Sequence, residues 1–458
     1  MLHRAGVVLA ADHPLRIMSH PLDSIFCPRS VAVIGASNAP EKYGYIILKN
    51  LLEAGFAGSV YPVNPKATEI LGRPCTRSIA DLPPGVDLAV IIIPARAVPQ
   101  AVADCGQRGI KAAIIISGGF AESGEDGAAL QREVVEAARR SGVRVVGPNC
   151  QGVNNPHHGL CASWPLLTEQ GEIAVISQSG TVGAALMDWA SQERLGCSAF
   201  VSLGNRCDVD ETDLIDYLAQ DANTRAIAAY LEGVKDLARF REVVSRCGKP
   251  IVILKSGRTV EGRRAAESHT RSLAGRDELY TALFRQLRIH RVDSLEDLYD
   301  AAKALAYLPK PGGRRILTIT SSGGSGILAT DWAEWSGLQV AALPGPVAET
   351  LRGLLPTHCI VANPLDLTGD GTAALYRKVV EATAPHFDYQ VIIFGDPILQ
   401  AADVVTPGAP QLVIFLGGAE VERQERLRMH QRKVPVFPTP ERGIRALARL
   451  FAFDEGVA

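Results

Sequence analysis

The chain has 458 residues and a formal net charge of −2. At roughly 150 residues per domain, that length suits three domains. The balanced charge argues against a nucleic-acid surface or a charged tail, and no apolar run reaches the roughly 18 residues that a membrane-spanning helix needs. Glycine and small aliphatics are abundant and aromatics few, which favours doubly wound α/β layers. The nine cysteines have no C-x-x-C pair and no disulfide-framework spacing, so reduced thiols in a cytoplasm are expected. Residues 1–20 read as an N-terminal extension too soon broken by Asp12 and His13 for a signal peptide, with Met18 as an alternative start.

The first unit opens with a buried-strand pattern at 30–35 that ends on Gly35. Ala36 and Ser37 follow, then a turn at Pro40 and a helix from Gly44. This is strand, glycine turn, helix, the start of a nucleotide-binding β-α-β unit. The strict G-x-G-x-x-G fingerprint is missing. The next strand, 59–63, ends in Asn64-Pro65-Lys66, where an NAD site would want an acid and a phosphate would prefer the lysine. Further strands at 87–93, 112–116 and 144–146 end in Pro94, in Ser117-Gly118-Gly119 and in Gly147-Pro148-Asn149-Cys150. In a doubly wound sheet such ends line one crevice, so a ligand is expected there. A buried structural role for Cys150 outweighs a nucleophilic one.

A second set of strands and helices begins at Gly171. The strand 172–177 runs into Gln178-Ser179-Gly180-Thr181, which opens a helix. Free N–H groups at such a helix start are a ready phosphate seat, against the alternative of a well-capped helix. Asp208, Asp210, Glu211 and Asp213 precede another helix, and Asp210 and Asp213 read as caps. Strands at 226–231 and 251–254 lead to a small-residue polar stretch, 265–275, read as a loop carrying one imidazole, His269. An imidazole there could be a nucleophile or an ordinary surface histidine. Residues 309–314 read as a linker. A third set follows, with Ser321-Ser322-Gly323-Gly324-Ser325-Gly326 repeating the strand–small-loop–helix seat. Two such starts suggest one anion held from two sides.

The order of these motifs resembles the α subunit of the NDP-forming acyl-CoA synthetases (ADP-forming acetyl-CoA synthetase), relatives of succinyl-CoA synthetase. It rests on Val-Ile-Gly-Ala-Ser at 33–37, Val-Asn-Pro-Lys at 63–66, Ser-Gly-Gly-Phe-Ala-Glu at 117–122, Gly-Pro-Asn-Cys-Gln-Gly at 147–152, Ser-Gln-Ser-Gly at 177–180, Asp-Val-Asp-Glu at 208–211, Glu-Ser-His-Thr at 267–270, and the runs at 321–326 and 363–370. The resemblance implies an α/β fold of three domains: a Rossmann-like CoA-binding domain at 21–153, then flavodoxin-like ligase domains at 154–308 and 315–458. It implies a reaction that interconverts acid, CoA and ATP with acyl-CoA, ADP and phosphate, through acyl phosphate and a phosphohistidine at His269, with Glu211 supporting the ring. CoA would meet Gly35, Ala36, Ser37, Lys42, Pro65, Lys66, Pro94, Ser117, Gly118, Gly119, Asn149 and Cys150. The phosphoryl group would meet Ser179, Gly180 and Thr181 and also Ser322, Gly323, Gly324, Ser325 and Gly326. Nucleotide and Mg2+ would sit on an ATP-grasp β subunit, and no metal site is expected on this chain. The family usually reads Ser-His-Thr-Gly, whereas residue 271 here is arginine. An alternative reading is a CoA-binding regulatory or scaffold protein that has lost turnover.

Overall fold

Runs of Val, Ile, Ala and Leu form three parallel sheets in the computed structural model, which describes residues 20–270, 276–310 and 312–453, with 267–270 described by backbone alone. The first sheet holds Ser30–Ile34, Ser59–Val63, Leu88–Ile91, Ala112–Ile115 and Arg144–Val146. In space its second strand lies outermost, then the first, third, fourth and fifth, all parallel. The second sheet repeats that order with Gln170–Ser177, Cys197–Ser202, Ala226–Leu231, Ile251–Lys255 and His290–Val292. The third repeats it again with Arg315–Thr320, Gln339–Val340, Tyr389–Phe394, Gln411–Phe415 and Val436–Phe437; Leu365–Asp366 pairs the end of its first strand. The central strands are buried along their whole length, as expected where helices cover both faces. In this order the chain reverses direction across the sheet between first and third strands, and a crevice opens there at their carboxyl ends. Among the described residues no helix is long and apolar enough to cross a membrane.

The second sheet also carries an antiparallel hairpin, Gly152–Asn155 with Leu160–Ser163, paired to Cys197–Ser202. The sequence boundary at 153/154 therefore falls inside a strand of the second sheet. Close packing fixes the first turn. Gly35 has φ +93°, and a Cβ there would lie 2.1 Å from the Ile92 carbonyl oxygen. A Cβ on Gly44 would lie 2.1 Å from the carbonyl oxygen of Gly35. Strand end and helix start thus touch backbone to backbone, which only glycine allows.

The second and third domains meet through buried charge. Helix Leu295–Tyr307 packs on the second sheet and against helix Pro440–Ala448 of the third domain. Its Lys303 is fully buried; the ammonium donates to both Glu193 carboxylate oxygens, at 3.1 and 3.3 Å, and to the Val436 carbonyl at 2.9 Å. Asp300 is equally enclosed and accepts from Arg442 Nε at 2.6 Å. His430 completes the joint. Its Nδ1–H donates to the Glu193 carbonyl at 2.8 Å, and its Nε2 accepts from the Val436 N–H at 3.1 Å. Acceptance at Nε2 needs the neutral ring, and burial pulls the His430 pKa down to about 4 from the usual 6.5.

The sign follows from linkage. His430 binds its proton more readily in the unfolded chain, so its stabilising share is complete above pH 6.5 and is lost as pH falls through about 4. That share is roughly 3 kcal/mol. Denaturant unfolding at pH 7 and pH 4 should show this loss in the native chain, while His430→Leu should start less stable and vary less with pH. Equal slopes would reject the assignment.

Candidate active site

Hydroxyl groups build the first helix start. Ser177, the fully buried last residue of its strand, donates from Oγ to the Ser179 carbonyl at 2.5 Å and accepts the Ser179 N–H at 3.2 Å. The turn so formed places Ser179 as N-cap of helix Gly180–Gln192, where its side chain accepts from the Val182 N–H. The N–H groups of Gly180 and Thr181 have no acceptor among the described residues. They point a positive helix end outward. The third domain repeats this arrangement: Thr320 Oγ1 donates to the Ser322 carbonyl at 3.1 Å and accepts the Ser322 N–H at 2.9 Å, ahead of helix Gly323–Trp335. There, however, a carboxylate already stands close by, since a Cβ on Gly323 would lie 3.0 Å from Asp366 Oδ2.

The first start opens on a cleft of about 340 Å3 between the first and second domains. Gly118, Asn149 and Cys150 line it from the carboxyl ends of the first sheet, facing Ser179, Gly180 and Thr181, and Tyr43 and Trp164 form an aromatic wall with ring centroids 5.9 Å apart. Residues 322–326 do not line it. The second start, expected to hold the same anion, belongs to the third sheet and stands beside Asp366.

The other predicted contacts divide by role. Gly35 and Ala36 are backbone scaffolding, and the Ala36 carbonyl accepts from Asn64 Nδ2 at 2.7 Å. Ser37 Oγ accepts the Ala39 N–H. Ser117 staples two strand ends, its Oγ donating to the Ile93 carbonyl at 2.6 Å and accepting the Ile93 N–H at 3.1 Å. The Gly119 N–H donates to Glu122. Lys42, Pro65, Lys66 and Pro94 are exposed, and the ammonium groups of Lys42 and Lys66 have no partner among the described residues. Two unpaired cations beside glycine-built strand ends fit a ligand carrying phosphates, as CoA does. Cys150 donates from Sγ to the Ile115 carbonyl at 3.3 Å, and burial pushes its thiol up to about 12. It is a packing residue of the cleft wall, not a thiolate nucleophile.

The acidic run at 208–213 separates by direction. Asp208 and Asp213 pair with Arg144, and Asp213 also with Arg239. Asp210 caps helix Glu211–Gln220 with a capping box to Asp213. Of the four, Glu211 alone has zero exposure. Its Oε2 accepts from Arg206 Nη1 at 2.9 Å and Gln178 Nε2 at 3.2 Å, and its Oε1 accepts the Lys235 N–H at 2.9 Å. Arg206 and Gln178 also donate to the Gly233 carbonyl. The carboxylate thus joins the ends of the first and third strands of the second sheet. At the fourth strand's end Lys255 is buried over the Tyr280 ring, 4.8 Å from its centroid, and burial pulls its pKa down to about 8.

The stretch expected as a loop at 265–275 is helical as far as it is described. Helix Val260–Thr270 contains His269, and it lies against the turn Ala121–Ser123 of the first domain. Thr259 Oγ1 caps its start by accepting the Gly262 N–H at 3.0 Å, and Ala265, Ala266 and Glu267 are strong helix formers. The His269 side chain and Arg271 lie outside the described residues. Sequence reasoning missed Gln178, Arg206 and Lys255. It also passed over Asn205, which crosses the domain junction to donate to Glu122 at 2.5 Å and Gln131 at 2.9 Å.

These features define a three-domain α/β protein with a phosphate-type helix start facing a CoA-type crevice. A CoA binding domain model matches residues 29–156, a succinyl-CoA ligase like flavodoxin domain 170–305 and a ligase-CoA domain 316–407. The chain is 39% identical over 455 residues to the ADP-forming acetate–CoA ligase I subunit alpha of Pyrococcus furiosus, covering 95% of this chain and 98% of that one. It is 39% identical to the ADP-forming acetate–CoA ligase I of Archaeoglobus fulgidus, over 95% of this chain but 64% of the relative. A solved acetyl-coenzyme A synthetase 1 from Ca. Korarchaeum cryptofilum, in complex with phosphate and ADP, superposes with a TM-score of 0.87 at 36% identity, covering 94% of this chain and 96% of that chain. The chain belongs to the ADP-forming acyl-CoA synthetase family.

Removing the Arg206 guanidinium would leave Glu211 buried without its cation. Arg206→Met should cost about 3–5 kcal/mol of unfolding free energy, and much of it should return in Arg206→Met combined with Glu211→Leu. Additive losses in that cycle would show that the two side chains do not depend on each other.

Proposed function

We propose that this chain is the α subunit of an ADP-forming acyl-CoA synthetase, interconverting a small carboxylic acid, CoA and ATP with acyl-CoA, ADP and phosphate. The observation that carries the reading is the shared cleft, in which Gly118 and Asn149 of the CoA-binding domain face the unpaired N–H groups of Gly180 and Thr181. A thioester held from one side and a phosphate from the other would meet there.

Lys42 and Lys66 would hold CoA phosphates at the mouth of the first sheet. In the thioester-consuming direction, phosphate attacks the acyl carbonyl, the C–S bond breaks and the thiolate takes a proton. A ring nitrogen of His269 then attacks the phosphorus of the acyl phosphate and releases the carboxylate. The phosphorylated ring passes the group to ADP. Neutral imidazole suits this step as a nucleophile near neutral pH. Glu211, held by three donors, would accept the other ring N–H and fix tautomer and orientation. The Gly180–Thr181 helix end would stabilise the phosphoryl oxygens by about 0.3–1 kcal/mol, or ~2 where partly buried.

The nucleotide, with Mg2+, would sit on a separate ATP-grasp β subunit. The alpha-subunit naming of the Pyrococcus furiosus relative supports a partner.

With such a partner present, γ-labelled ATP should phosphorylate the native chain, and His269→Ala should take up no label; label retained in that variant would sink the assignment. Glu211→Gln should slow phosphoryl transfer on the order of 100-fold or more while the chain still binds CoA. CoA binding with no phosphorylation of the native chain would return the protein to the scaffold reading.

A further inference from the structure

Opposite the catalytic edge, at the amino ends of the third, fourth and fifth strands of the second sheet, lies a cleft of about 660 Å3. Its size falls within the range of small-molecule sites. Five cations line it and no carboxylate does, among the described residues. Three of the cations are engaged: Arg225 pairs with Glu172 at 3.4 Å, Lys249 donates to the Leu218 carbonyl at 2.7 Å, and Lys310 has a partner of its own. Arg288 and Arg449 have no hydrogen-bond or ion-pair partner among the described residues; Asp293 and Asp297 act on Arg449 only at longer range. Arg288 holds a left-handed backbone, φ +54°, which a side chain of its kind adopts rarely.

Between these cations stands a buried polar atom with nothing to bond. His290 is 6% exposed and lines the cleft, and its Nδ1 has no hydrogen-bond partner. Burial, and then the Arg449 charge, pull its pKa down to about 4. Arg288 is exposed and Arg449 half-buried, so water can serve both; the buried ring nitrogen of His290, without a partner, is the group that costs free energy unless a ligand answers it.

We infer that this cleft is a second anion site that takes a small organic phosphate, with Arg288, Arg449 and His290 on the phosphate and Leu308 and Phe453 against the organic part. It is separate from the catalytic cleft and needs none of its residues. Leu308 ends the helix of the second domain, and Arg449 and Phe453 close the third, so a bound ligand would bridge the two domains and bias how they sit.

Inorganic pyrophosphate is a suitable probe, titrated calorimetrically into the full chain. We expect binding that weakens with salt and falls at least about tenfold in Arg288→Gln and again in Arg449→Gln. Neither residue belongs to the catalytic cleft, so phosphorylation of His269 should persist in both variants. Affinity unchanged in both variants would overturn the site. A second reading uses the native chain alone: the His290 ring resonance should titrate at higher pH with pyrophosphate than without, and an unmoved midpoint would equally reject the proposal.

Discussion

The structure turns on one buried carboxylate. Glu211 is removed from water at the carboxyl edge of the second sheet, where an unpaired charge would be strongly unfavourable. It is stable there because Arg206, Gln178 and the Lys235 N–H converge on its two oxygens. Those donors come from three different connections between strands and helices. Satisfying one charge therefore fixes the relative positions of the strand ends around it. A general acid–base or orienting group has to be held this way, because its usefulness depends on an orientation that does not relax.

The same sheet order used three times places the rest. Each sheet opens its crevice at the carboxyl ends, and the first two crevices face each other across Asn149, Asn205 and Glu122. Against the burial that would raise it, hydrogen bonds from Asn205 and from the Gly119 and Phe120 N–H groups hold the Glu122 carboxyl below its usual range. The third domain is tied to the far end of the helix that begins at Gly180. Glu193, at that helix's C-terminus, is the shared partner of Lys303 and His430. One helix thus presents its positive end to the cleft while its other end is fixed in the domain joint.

Much of this was legible in the sequence, because the signals were local. Continuous apolar runs gave most strands, and Ser-Gly-Thr at 179–181 and the capping pattern at Asp210 marked their helix starts directly. Short strands that are mostly polar were not legible. His290–Val292 has three residues, two of them polar, and pairs at a sheet edge. Gly152–Asn155 has no apolar run, yet Asn154 is fully buried and accepts from Ser163 Oγ at 2.8 Å. The small residues around His269 read as loop, while helix propensity and the Thr259 cap make the chain helical as far as Thr270, where the described stretch ends. Gln178, Arg206 and Glu211 meet only after the chain has folded, from positions up to 33 residues apart, and spacing along the chain carries no sign of it. The cations around His290 were invisible for the same reason.

The account stands on a phosphoryl group resting on His269. The most direct measurement incubates the chain with an acyl-CoA and inorganic phosphate, without ADP, and maps the phosphorylated peptide by mass spectrometry under alkaline conditions. The account predicts a single acid-labile phosphoryl group on the peptide containing His269. A stable phosphoryl group on Ser179 or another hydroxyl, or acyl-CoA consumed with no phosphorylated peptide, would contradict it.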